Sequence, residues 1–158
     1  MEILRAEKSH INDISKLLNQ VLEVHHEGRP DIFRSGKEGF RKYSDDELIE
    51  ILENDETPVF VAIDDDKVKG YAFCKFENVE ESNSLNDLKS LYIDDLCVDE
   101  NYRREHIGTK LLNFVKDFAK ENGCYHITLN VWAFNEPARK FYENNGLKPL
   151  KIGMEYVI

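Results

Sequence analysis

Cysteine is scarce in this chain: Cys74, Cys97 and Cys124 are the only three in 158 residues. They are odd in number, widely spaced and never paired as CxxC, which excludes a disulfide framework and a structural zinc site as readings of the sequence. Long apolar runs are missing too. No stretch is long enough to span a bilayer, and the opening MEILRAEKSH has no signal-peptide apolar region. The expectation is a reducing, cytoplasmic setting without a membrane partner. Basic charge is the third shortage. Against 31 Asp and Glu stand 21 Lys and Arg, a net charge of −10, so nucleic acid is a poor partner because phosphate neutralisation needs a basic surface. An acidic body is compatible with cationic ligands such as amines, although solubility alone accounts for it. Repeats, low-complexity tracts and linkers are absent as well. With 41% hydrophobic and 33% charged residues, the chain reads as one globular domain over residues 1–158.

What is present alternates between two periods. Glu2 to Ala6 opens as a short strand, and Ile11, Ile14, Leu17, Leu18, Val21 and Leu22 follow at helical spacing. HHEGRPDIFR (25–34) reads as a loop, since Gly28 and Pro30 interrupt that period. Ser44 to Glu47 has capping-box spacing ahead of the stripe Leu48, Ile51, Leu52. PVFVAI (58–63), the turn DDDK and VKGYAFCKF (68–76) form a predicted hairpin, and LYIDDLCV (91–98) is the next strand. Leu111, Leu112, Val115, Phe118 and Ala119 then mark a helix from Ile107 that stops at Asn122-Gly123. HITLNVW (126–132) is a strand, Asn135 starts a helix ending at Asn145-Gly146, and LKPLKIGMEYVI closes as short strand material. The order β-α-α-β-β-β-α-β-α-β predicts an α/β (α+β) fold with helices on both faces of one mixed sheet.

The unit from Leu91 to Leu112 joins strand, arginine-rich loop and helix start. A helix N-terminus has N–H groups without intrahelical acceptors and the positive end of the dipole, so an anion is stabilised there by about 0.3–1 kcal/mol before direct hydrogen bonds. Arg103 and Arg104 add charge, and Gly108 lets the backbone come close. No GxxxxGK[ST] Walker loop and no three-glycine dinucleotide fingerprint occurs.

YRREHIGTKLL (102–112) resembles the acyl-CoA loop of the GNAT (Gcn5-related) N-acetyltransferases, Y-R-x-x-G-I-G-x-x-L-L. Tyr102, Arg103, Ile107, Gly108, Leu111 and Leu112 match, and His106 stands at the first glycine. NEPARKFYENNGLKPL (135–150) resembles the family's N-x-x-A-x-x-F-Y-x-x-x-G-F block through Asn135, Ala138, Phe141, Tyr142 and Gly146, with Leu147 in place of the last Phe. Within the family, LYIDDLCV with NEPARKFY looks closest to the diamine (spermidine/spermine-type) acetyltransferases.

The resemblance implies a mostly antiparallel sheet of about six or seven strands with one splayed parallel pair, flanked by about four helices. It implies acetyl-CoA as cosubstrate, without a metal. The pantetheine arm would pair with Leu96, Cys97 and Val98. The pyrophosphate would lie on the N–H groups of Arg104, Glu105, His106, Ile107, Gly108 and Thr109, with Arg103 beside it and Asn135 and Ala138 near the arm. Tyr142 would protonate the departing thiolate. Adjacent strand residues face opposite sides, so at most one of Asp94 and Asp95 is expected to face the acceptor unless the strand bulges. Asp94 matches a substrate-binding glutamate of the diamine-acetylating relatives and is taken as base, acting through water, and as acceptor ligand. Glu27, Asp31 and Phe33 lie where the family places its acceptor loop. Cys97 is not expected to be a nucleophile, since no His/Asn arrangement accompanies it, and adjacent His25 and His26 do not share a helix face for a metal. The implied activity is acetyl transfer to a primary amine of a small, polyamine-like molecule in a ternary complex. A homodimer is the implied assembly, because many relatives pair. The alternatives are a non-catalytic acyl-CoA-binding sensor, favoured only by His106, and an enzyme acting on protein N-termini or lysines.

Overall fold

The computed structural model describes residues 1–158. Strands β1 (Glu2–Arg5), β2 (Val59–Asp64), β3 (Lys67–Val79) and β4 (Leu88–Val98) lie side by side in chain order, each antiparallel to the next, and β5 (His126–Leu129) joins β4 in parallel. The tight β2-β3 turn uses Asp65 and Asp66 at φ 49° and 57°, a left-handed conformation that aspartate tolerates better than most residues. Four helices flank the sheet: α1 (Ile11–Gly28), α2 (Asp45–Glu53), α3 (Ile107–Glu121) and α4 (Glu136–Asn144).

Strand alternation divides the core in two. Val59 and Val61 point to one face, where Ile14, Leu17, Leu48 and Leu52 bring in α1 and α2. Phe60 and Ala62 point to the other, where Leu111, Leu112 and Val115 bring in α3. Burial of each such side chain contributes about 1.5–3 kcal/mol. Phe60 also meets Phe114 and Phe118 edge-on, with ring centroids 5.0 and 4.9 Å away, which fixes α3 against the middle of the sheet. The predicted capping box forms at α2: Ser44 Oγ accepts from the Glu47 N–H at 3.1 Å. No helix is long and apolar enough to cross a membrane.

The structure departs from the sequence reading in three places. Helix α1 continues through HHEG to Gly28 instead of breaking at His25, because the Arg29 N–H still closes on the His25 carbonyl at 2.8 Å; Pro30 then stops it. Gly28 leaves room for the Phe134 ring, which a Cβ there would strike. The sheet has five strands, not six or seven. Residues 147–158 join no ladder, and β5 stops at Leu129, three residues before Trp132.

Candidate active site

The parallel pair parts in mid-sheet. β4 and β5 pair from Ser90/His126 to Ile93/Leu129, and no pairing continues beyond. β4 itself runs on to Val98, held by β3 alone. A wedge therefore opens beside Leu96, Cys97 and Val98. The Asp99 N–H bonds to the Lys69 carbonyl on β3 at 2.9 Å, so by antiparallel alternation the backbone of Cys97 also faces β3. Leu96 and Val98 turn their N–H and C=O groups toward the wedge. The polar edge available to an extended ligand is thus that of Leu96 and Val98. The Cys97 thiol lies buried beside the Leu17 carbonyl, and burial pushes it far above the ordinary thiol range, which removes it as a nucleophile.

At the mouth of the wedge a 3-10 turn (Glu100–Tyr102) leads through Arg103 to His106 into α3. Arg104 and His106 have φ 78° and 58°, so the chain curls there as glycine would let it. Unlike α2 and α4, which are capped by Ser44 and Asn135, α3 has no side-chain cap and no acidic residue in its first turn. The N–H groups of Ile107, Gly108 and Thr109 have no acceptor, while that of Lys110 closes on the His106 carbonyl. Arg103 and Arg104 are exposed and make no salt bridge. Free amides and free guanidiniums around a curled backbone fit a diphosphate. Gly108 serves packing as well: a Cβ would meet Phe141 of α4 at 3.1 Å, so the bare position lets α4 close tightly against the start of α3.

That closure carries Tyr142 to the wedge. Its hydroxyl has no hydrogen-bond partner in the chain, and burial, reinforced by Asp95 and Cys97, holds its pKa well above the ordinary phenol range. Asn135 performs the local task of accepting from the Ala138 N–H at 3.3 Å.

Asp94 and Asp95 lie on the same side of the sheet. Phe73 pairs with Asp95 and Cys74 with Ile93, which leaves Asp94 as an extra, bulged residue. The expected opposition of the two carboxylates is thereby cancelled. Asp94 is exposed and held by Lys42 Nζ at 3.0 Å and the Tyr43 hydroxyl at 3.3 Å. Asp95 is partly buried, and the Tyr71 hydroxyl donates to its Oδ2 at 2.7 Å. Burial raises the Asp95 carboxyl above the usual range, with Lys42 and Tyr71 pulling it partly back. Burial also disfavours the Lys42 ammonium, but Asp95 and Asp94 outweigh it and raise Lys42 overall.

The end of α1, the loop after it and the segment after β5 bring together a cluster of rings. Phe33 lies 4.9 Å from His25 and 5.0 Å from Trp132, and Trp132 stacks at 6.1 Å on Phe134. His26 Nδ1 meets the Phe33 carbonyl at 2.7 Å. Ser35 Oγ donates to Glu23 at 2.9 Å, which ties this loop to α1. Burial, helped by the Lys42 charge, lowers the His25 pKa and keeps the ring neutral in this group. Of the three predicted acceptor residues, Phe33 belongs to the cluster, Asp31 is paired with Arg29 at 2.8 Å, and Glu27 is exposed on the last turn of α1. A hollow of about 360 Å³ between Arg5, Phe76, Lys89 and Phe118 lies elsewhere and contains no predicted site residue.

The sequence pattern of the Acetyltransferase (GNAT) family matches residues 18–147. This chain belongs to that family. It is 31% identical over 147 residues to an uncharacterized N-acetyltransferase, YhfO, of Bacillus subtilis (strain 168), covering 92% of this chain and 89% of that one. A mutant BH1408 protein of Bacillus halodurans superposes with TM-score 0.94 at 28% identity, over 100% of this chain and 99% of the other. An aminoglycoside N-acetyltransferase, AAC(6')-Iy, solved with CoA, shares the fold at TM-score 0.71 and 16% identity, over 99% and 98% of the two chains. Further N-acetyltransferase relatives bear the names of several different acceptors. They support the family and acetyl transfer without singling out the diamine enzymes.

In this GNAT enzyme the residues expected for the donor, Leu96 to Val98 and Arg103 to Thr109, lie together along the wedge and the start of α3, whereas of those expected for the acceptor only Phe33 joins the ring cluster. Asp95 and Tyr71 were hidden by the bulge, which no local pattern announces. His25, Trp132 and Phe134 were hidden by distance along the chain. The available signal was the density of aromatic residues in VWAF directly after a strand.

Proposed function

We propose that this GNAT acetyltransferase moves an acetyl group from acetyl-CoA to a primary amine of a small, cationic molecule, polyamine-like amines being the first candidates, in the cytoplasm. The observation that carries the reading is the parting of β4 from β5 beside the uncapped start of α3. Acetyl-CoA supplies an activated thioester carbonyl. Residues 103–109 hold its diphosphate, and the free edge of Leu96 and Val98 takes the extended arm as an added strand. The Val98 N–H, turned into the wedge, stabilises charge growing on the carbonyl oxygen, as preorganised donors do. Tyr142, with an unengaged hydroxyl that stays protonated, donates to the sulfur.

We assign the base to Asp95 in preference to Asp94. Asp94 is exposed and neutralised by Lys42, whereas Asp95 has a raised pKa and influences Tyr142 across the wedge. A carboxylate poised above its usual range accepts an amine proton more readily near neutral pH. Asp94 remains the outer carboxylate that meets the acceptor's ammonium in competition with Lys42. The rings of Phe33, Trp132 and Phe134 stabilise an alkylammonium by cation–π contact worth about 0.5–2 kcal/mol.

The test is thiol release from acetyl-CoA against polyamines, aminoglycosides, free amino acids and short basic peptides. Turnover is expected with a small polycationic amine. Turnover confined to peptides would replace the small-molecule acceptor with a protein one. Silence across the panel despite acetyl-CoA binding would refute this acceptor class.

A further inference from the structure

We infer that Lys42 is itself an acetylation site: its side chain stands in the acceptor's place, and the chain transfers an acetyl group from acetyl-CoA to its own Lys42 Nζ. The inference rests on the acetyl-transfer reading above and adds an acceptor that the chain carries with it. Lys42 Nζ lies 3.0 Å from Asp94 Oδ2, where an incoming ammonium would bind. Its charge also reaches Asp95 and, on the other side, His25 of the ring cluster. A primary amine is thus held between the proposed base and the proposed acceptor rings. Its neighbours keep it there. Arg41 donates to Ser15 Oγ of α1 at 3.1 Å and to Asp45 of α2 at 2.9 Å. The Tyr43 ring stacks on Phe73 of β3 at 6.0 Å, and its hydroxyl donates to Asp94 at 3.3 Å. The loop is pinned on both sides of residue 42. No other lysine is ion-paired to Asp94 or Asp95.

The pair with Asp94 is half-exposed, both side chains being 39% accessible, and an exposed ion pair is weak. Its ammonium is therefore free to exchange carboxylates. The step from Asp94 to Asp95 along the backbone is about 3.8 Å, within the swing of a four-carbon stem. Asp95 acts on Tyr142 as well, so one carboxylate links the amine to the acid that serves the sulfur. In the transfer Asp95 takes one proton from the Lys42 ammonium. The neutral Nζ attacks the thioester carbonyl, so that a C–N bond forms and the C–S bond breaks. The sulfur leaves with the Tyr142 proton, and Tyr142 recovers a proton from the nitrogen. The products are acetylated Lys42 and the CoA thiol, with the proton on Asp95 passed to water. An amide carries no charge, so the modified side chain releases Asp94. Acetylation then opens the ammonium subsite to an outside amine, which makes the modification an activating one.

The test incubates the full chain with acetyl-CoA alone and follows each lysine by peptide mass spectrometry. Lys42 should gain an acetyl group well ahead of the exposed Lys140, with a rate constant unchanged on dilution of the protein. Tyr142→Phe should slow this by about 10²-fold or more, the worth of a positioned acid, while surface lysines that react uncatalysed keep their rate. Lys42→Arg, which retains the charge but not the acetylatable amine, should abolish the burst of thiol released without added acceptor. Modification of Lys42 no faster than of Lys140, equally fast in Tyr142→Phe, or faster at higher protein concentration would overturn the assignment. Turnover of added amines with Lys42 unmodified would overturn it and leave the acetyl-transfer reading standing. Acetylated Lys42 with a silent acceptor panel would uphold it and refute only the proposed acceptor class; with neither, both fall.

Discussion

Tyr142 presents a hydroxyl without a partner in a pocket that keeps it protonated, and its consequence is a separation of kinetic constants. Tyr142→Phe removes one oxygen and leaves the ring against Phe141. Turnover should fall by about 10²–10⁴-fold, the usual worth of a positioned acid, while KM for acetyl-CoA stays unchanged; steady-state kinetics measures both. Asp95 makes a prediction in pH. Its folded pKa is raised, so kcat/KM for the acceptor should climb as pH rises through a value above the usual carboxylate range, and Asp95→Asn should abolish that limb. The sign for stability is the opposite. A carboxyl raised in the folded state contributes stability that is fully present below its unfolded pKa and lost as pH rises through the folded value. Above the folded value that contribution is gone, and Asn still accepts from the Tyr71 hydroxyl. At such a pH Asp95→Asn should therefore leave Tm unchanged or higher, in contrast to its effect on rate.

At the level of elements, the start of α3 shows how a departure from a motif is accommodated. His106 occupies the left-handed region at φ 58°, where a non-glycine residue costs about 1–3 kcal/mol. Glycine would remove that cost but lose about 0.5–1 kcal/mol through the freedom it gains when unfolded. The binding groups there are backbone amides, which both residues possess. His106→Gly should leave acetyl-CoA affinity within a few-fold, as titration calorimetry would report; a large gain would mean that histidine obstructs the site. The elements themselves were readable where one periodicity persists. The stripe Leu111, Leu112, Val115 specified α3, and Val59 to Ala62 specified a strand buried on both faces. The reading failed where a structure depends on an unseen neighbour. Asp94 gives no local sign of bulging, since the extra residue is defined only by its register against Phe73 and Cys74. Trp132 has strand chemistry but no ladder, because β4 has already turned away. The segments expected for the donor were readable as a motif because they are backbone at a helix start, which short motifs encode; the ring cluster is made of side chains from segments about a hundred residues apart.

Across the whole molecule, the net charge of −10 bears on encounter more than on fold. A polycationic acceptor is drawn toward an acidic body, and salt shortens that reach, the Debye length falling from about 10 Å at 0.1 M to about 3 Å at 1 M. KM for such an acceptor should rise steadily with added sodium chloride while kcat holds, whereas a neutral amine should be nearly indifferent; rate measurements across the salt series separate the two.

The ring cluster of His25, Phe33, Trp132 and Phe134 rests on the end of α1, the loop after it and the segment after β5, outside the two hydrophobic cores. On the proposed reading, donor recognition shares its residues with the fold, while choice of acceptor is written on segments that neither core depends on. A lineage built this way can change its diet without relearning how to fold.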